Sequence, residues 1–205
     1  MTGPSVSSSV APSVYALVRS YGGLTARSSA IWPRSTQDAL PGVPGFVDSS
    51  FSPLVAEVAE RCLRAEYGEP PAEAGRGART AIVVMSPLGD VVSARRVART
   101  VASGGRVGPL MFFQSVPNAV AGHVAARWGL AGPVVCVSST SAGVDVAALL
   151  MADGDADEAL VVLVEQARTG GDRDRAEAVL IGRSPEGPPP EDRTPEGPPP
   201  EGSTA

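Results

Sequence analysis

The sequence predicts an α/β fold, a mixed sheet with helices on both faces. Three observations carry this. Thr80–Met85 (TAIVVM), Pro133–Ser138 (PVVCVS) and Glu158–Glu165 (EALVVLVE) are continuous apolar runs of strand length, as expected of strands covered on both faces. Segments with helical periodicity alternate with them, which argues for helices packed on a sheet. Ser141–Met151 (SAGVDVAALLM) is apolar on nearly every side, with Asp145 its one charge; such a helix is normally buried all round.

The remaining elements follow in order. Residues 1–13 are small and polar and read as a disordered N-terminus. Val14–Arg19 (VYALVR) reads as a short strand. Residues 20–53 are rich in Gly, Pro and Ser and show no clear period. Leu54–Tyr67 places Leu54, Val55, Val58, Cys62 and Leu63 on one side and charges on the other, the pattern of an amphipathic helix. Glu69–Gly77 reads as a loop. Val91–Val101 and Val116–Trp128 are helices, the second built largely of small residues. Glu177–Ile181 closes the domain as a strand. A domain over residues 14–182 results. From Arg183 the composition changes: RSPEGPPPED is followed by RTPEGPPPEG. This repeat has no apolar side chain to bury, so residues 183–205 read as a solvated tail; its prolines also suit a polyproline ligand for an SH3-like groove.

Composition excludes several classes of function. The chain has 205 residues and a formal net charge of -5, which disfavours binding to a polyanion such as nucleic acid. No apolar run reaches the roughly 18 residues of a membrane span, and the Ser-rich start has no basic signal-peptide region. Two cysteines and one histidine cannot complete a four-ligand zinc site. GGRVG (104–108) follows a helix and lacks a P-loop lysine. The sequence therefore points to no metal and no cofactor. Two distant cysteines make no disulfide framework, so a reducing cytoplasm is the expected location.

The stretch 104–165 carries the chemistry. GGRVGP (104–109), SVPNAVAGHVAARWGLAGPVVCVSSTS (115–141) and DEALVVLVE (157–165) resemble the N-terminal half of β-ketoacyl synthases, which have the thiolase fold. The resemblance implies a P-N-x-x-A-G helix, a G-L-x-G-P turn, a buried strand and a nucleophile opening a buried helix. That position falls on Ser141. A helix N-terminus favours a thiolate there, but a serine hydroxyl needs an adjacent base. Cys136, inside its strand, and Cys62, on the apolar face of its helix, read as core residues. The two histidines that serve decarboxylation in ketosynthases would lie beyond this half, and His123 stands alone in its helix.

The resemblance implies a ketosynthase-like pseudoenzyme of polyketide or fatty-acid-type biosynthesis, similar to cysteine-less chain-length factors. Its expected partners are a full-length ketosynthase, an acyl carrier protein, or both. The expected assembly is a homo- or heterodimer, with Pro133–Ser138, and so Val135 and Val137, at the interface. Arg95, Arg96 and Arg99, with Arg106 nearby, are candidate contacts for an acidic carrier protein. Phe112 and Phe113 would line an acyl channel or join the core. The alternative is a serine-dependent acyltransferase or thioesterase that uses Ser141, with His123 or Asp145 as base. A sheet covers only one side of the helix Ser141–Met151, so its other apolar side should meet another subunit or be covered by residues 20–79. Deleting residues 183–205 should leave the melting temperature unchanged; a drop of several degrees would show that the tail packs on the domain.

Overall fold

The computed structural model describes residues 12–168 and 172–185. The elements run α1 (Val14–Ser20), β1 (Leu24–Trp32), α2 (Phe51–Tyr67), α3 (Ala74–Ala78), β2 (Thr80–Met85), α4 (Val91–Ala102), α5 (Pro109–Gln114), α6 (Pro117–Trp128), β3 (Val134–Val137), α7 (Thr140–Ala152), β4 (Glu158–Glu165) and β5 (Arg175–Arg183). The strands form one mixed sheet in the order β1-β5-β4-β2-β3. β3, β2 and β4 are parallel, while β5 and β1 are antiparallel to their neighbours.

All of β2 is buried, and so is all of β4 except its last residue. Alternate side chains of each strand feed two cores. On one face Ile82, Val84, Leu160 and Val162 meet Leu54, Val58 and Cys62 of α2 and Val120, Val124 and Trp128 of α6. On the other, Ala81, Val83, Met85, Val161 and Val179 meet Val144, Ala147 and Met151 of α7 and Val14 and Val18 of α1. The expected sheet with helices on both faces is therefore present.

Five expectations need correction. The end of Glu69–Gly77, expected to be loop, opens helix α3, which Glu73 caps. VYALVR is helix α1, not a strand. Its buried Val14 and Val18 are one turn apart, and the Ser13 hydroxyl accepts from the Ala16 amide at its start. The sheet's first strand is instead Leu24–Trp32, within the stretch that showed no period. A bulge between Ala26 and Ser28 hides it: Leu24 and Ala26 join the α7 core, whereas Ala30 and Trp32 join the α2 core. One extra residue turns the strand over. Pro133–Ser138 holds an edge strand, not a buried one, and Val134 is 37% exposed. Finally, α7 buries one stripe only, Thr140, Gly143, Val144, Ala147 and Met151, and leaves Leu149 57% exposed.

The domain's last strand runs through Arg183, which pairs with Leu24, and the Ser184 amide donates to the Gly23 carbonyl at 2.9 Å. The strand thus takes Arg183, the first residue assigned to the tail. The other residues expected to be disordered, 1–11 and 186–205, lie outside the described ones.

Close approach of backbone fixes where β3 begins. A Cβ on Gly132 would sit 2.5 Å from the Thr80 carbonyl oxygen and 2.8 Å from the Ala81 nitrogen, atoms that cannot swing aside. Gly122, in the middle of α6, has nothing within 4 Å of its missing Cβ. Gly132→Ala should therefore destabilise by about 1–3 kcal/mol. Gly122→Ala should stabilise by up to about 1 kcal/mol. Thermal or urea unfolding of the two variants reads the opposite signs.

Candidate functional site

Helix α7 starts at the carboxyl end of β3. Its N-cap is Ser139, whose hydroxyl accepts from the Ala142 amide at 3.4 Å. Ser141 stands in the first turn, where backbone amides lack helical partners. With Thr140, Gly143 and Val144 facing the sheet, Ser141, Asp145 and Leu149 recur every fourth residue on the exposed stripe.

The Ser141 hydroxyl lies 3.0 Å from that of Ser139, and neither hydroxyl is a base. Asp145, one turn further on, faces the Tyr21 phenol; burial first, then the charge of this carboxylate, pushes that phenol up. His123 is elsewhere. It packs edge-on against Phe46, with ring centroids 6.0 Å apart, and lines a cavity of about 740 Å³ with Glu57, Glu60 and Arg127. That cavity lies against α2 and α6, across the sheet from α7. The fold thus brings Ser139 and Asp145 near Ser141 and sets His123 on the opposite face.

Cys136 corrects a reading. Its side chain is half-buried rather than enclosed, and its thiol donates to the Asn118 side-chain oxygen at 2.8 Å. It lines a second cavity, about 620 Å³, with Ser86, Leu88, Pro117 and Ser138. This cavity opens at the carboxyl ends of β2 and β3, where parallel sheets commonly receive ligands. Asn118, the asparagine of the P-N-x-x-A-G helix, was not singled out from sequence; its place directly after the helix-opening Pro117 is the signal that could have found it. Cys62 is fully buried and 3.3 Å from the Ser28 hydroxyl, as a core cysteine should be.

The other sequence candidates sit on the surface. Val135 and Val137 are half-buried on β3, whose outer edge has no strand beside it among the described residues. Phe112 and Phe113 are 71% and 57% exposed on α5 and belong to neither core; the Phe113 ring stacks on Phe46 at 6.5 Å. Arg95, Arg96 and Arg99 are all exposed on α4. Arg96 pairs with Asp48, and Arg95 donates to the Arg168 carbonyl at 2.9 Å. Among the described residues Arg99 has no ion-pair partner. No described group of His, Cys, Asp and Glu could hold a metal ion, and no described helix is long and apolar enough to cross a membrane.

Burial pushes both thiols up to about 11. The thiolate is the reactive form, so at neutral pH iodoacetamide should alkylate Cys136 roughly a hundredfold more slowly than a free cysteine. Mass spectrometry of timed samples reads this, and a rate like that of free cysteine would contradict it.

Comparison with known proteins places these features. The description "Beta-ketoacyl synthase, N-terminal domain" matches residues 49–178, well over half of the chain. No curated protein sequence matches. Among solved structures, the complex of the ketosynthase ApeO with its chain length factor ApeC from Xenorhabdus doucetiae gives a TM-score of 0.61 at 19% identity, covering 79% of each chain. The ishigamide ketosynthase/chain length factor gives 0.57 at 19% identity, covering 76% of this chain and 49% of that one. A beta-ketoacyl synthase from Burkholderia phymatum gives 0.57 at 18%, covering 71% and 46%. This chain thus spans about half the length of the latter two. The chain belongs to the beta-ketoacyl synthase N-terminal domain family, and its five-stranded mixed sheet between two helical layers is a thiolase-like fold.

Proposed function

We propose that this chain is a ketosynthase-like partner subunit, comparable to a chain-length factor, that does not itself condense acyl groups in polyketide or fatty-acid-type assembly. The observation that carries this reading is Ser141. The position that opens α7 holds a hydroxyl whose near neighbour is another hydroxyl, and among the described residues no base hydrogen-bonds to it to take its proton. The sheet separates it from His123, and Asp145 faces Tyr21.

The partner half of the proposal rests on β3. Its outer edge offers unpaired backbone donors and acceptors beside half-buried valines, which is what strand addition across a two-fold axis uses. The cavity walled by Leu88, Pro117 and Cys136 opens beside that edge, so a ketosynthase docked there would close it. The exposed Arg95 and Arg99 supply positive charge for an acidic carrier protein. The assembly works in the cytoplasm, and residues 14–182 with the end of β5 form its folded unit.

The test has two arms. Incubated with acyl- and malonyl-carrier protein, the isolated chain should give no β-ketoacyl product. Turnover that is lost in Ser141→Ala would overturn the non-catalytic reading in favour of a serine-dependent acyltransferase or thioesterase. Co-purified with a ketosynthase encoded beside it, the chain should form a stable complex. Val135→Asp or Val137→Asp should then raise Kd at least about a hundredfold, because an unpaired charge buried at an interface costs several kcal/mol. A monomer that binds no ketosynthase would sink the partner role, and a complex indifferent to both substitutions would place the interface elsewhere.

A further inference from the structure

Helix α1 lies outside the segment 49–178 that the family description matches, yet it forms part of the layer that carries Ser141. It rests on β1, β5 and α7 and buries only Val14 and Val18 fully. Seven residues are too few for a helix to persist alone in water, so contacts at its two ends hold it. At the N-terminus the Glu177 carboxylate of β5 accepts three hydrogen bonds, from the Ser13 hydroxyl at 2.8 Å and from the Val14 and Tyr15 amides at 2.9 Å each. These are the amides that a helix start leaves without partners. At the other end Tyr21, the C-cap residue, packs against the α7 core and faces the Asp145 carboxylate of α7.

We propose that α1 is a latched strap that opens as a unit while the sheet stays folded, uncovering the apolar floor beside α7. Both latches are carboxylates on the domain, and both grip the strap at its ends. Between them the strap contributes two fully buried side chains, against the many that pin β2 and β4. Local opening draws on elements with few buried apolar contacts, and α1 is such an element. Its release has a specific consequence: it frees Asp145 on the stripe that also carries Ser141 and Leu149. The strap therefore sets whether the floor next to that stripe is covered or open. This inference does not depend on the partner role proposed for β3.

Hydrogen exchange read by mass spectrometry on the full chain tests it. In the native protein, amides of residues 14–21 should exchange at least tenfold faster than those of β2 and β4. Glu177→Gln should raise exchange over 14–17 by a further tenfold or more, and Tyr21→Phe should raise it over 18–21, each with β2 and β4 unchanged. Val18→Asp should increase binding of an apolar dye while those strands remain protected. Exchange of α1 matching that of β4 in the native chain would overturn the proposal and make α1 an integral part of the core. So would a uniform rise across the sheet in Glu177→Gln, or no change over 14–21 in either latch variant.

Discussion

A parallel strand pair buried on both faces stays dry only if helices lie on both sides of it, and β2 with β4 sets that constraint here. Neither strand has a polar face to turn outward, so the chain builds two helical layers. α2 and α6 cover one face, α7 and α1 the other. Crossing from layer to layer demands close backbone passage. Gly132 lets the entry to β3 run against β2, and Gly143 lets α7 settle onto Met85, whose sulfur would lie 2.1 Å from an added Cβ. The glycines are part of the same constraint: a sheet with no room on either face leaves none for Cβ atoms where the chain crosses it.

Charge is buried at one end of this sheet and answered there. Glu158, the first residue of β4, is 5% exposed. It accepts from Tyr67 at 2.6 Å, from Arg76 at 2.6 and 3.0 Å, and pairs with Arg27 at 2.8 Å. An isolated buried carboxylate would cost several kcal/mol, so its three partners must be in place together. They come from α2, α3 and β1. The bulge that turns β1 over also delivers Arg27, whose guanidinium lies across Gly182. At the opposite end a network of hydroxyls, an amide and the Asp90 carboxylate does similar work. Asp90 caps α4 and accepts from Ser49 at 2.6 Å, while Gln166 donates to Ser49 and Ser50 and accepts from the Val91 amide at 2.8 Å. Loops with no periodicity of their own are thereby fixed to the strand ends.

What could be read from the sequence follows the same division. β2 and β4 stand out because burial on both faces leaves a continuous apolar run. α2 and α6 stand out because one-sided burial leaves a helical stripe. β1 did not, because its partner β5 and the bulge allow small and polar residues (Thr25, Arg27, Ser28, Ser29) at its positions. VYALVR misled because its β-branched and aromatic content suits a strand, whereas the group that stabilises it as a helix, Glu177, lies 163 residues from Val14. No local pattern reveals a cap that comes from the far end of the chain. The elbow serine was legible from the motifs around it. The side of the sheet on which His123 falls was not, since that depends on which helix layer each element joins.

That partition of layers bears directly on chemistry. Nucleophilic catalysis at a helix N-terminus needs a base on the same side of the sheet as the nucleophile, within about 3 Å. The α2/α6 layer holds the histidine, and the α7 layer holds Ser141 with Ser139 and Asp145. No rotamer change carries an imidazole through a sheet whose central strands are fully buried. To supply a histidine to Ser141, another chain or another domain would have to approach the exposed stripe of α7. The stripe is open at Leu149, and Asp145 on it faces Tyr21. The feature that leaves Ser141 without a base is thus the same one that leaves its helix face open to contact.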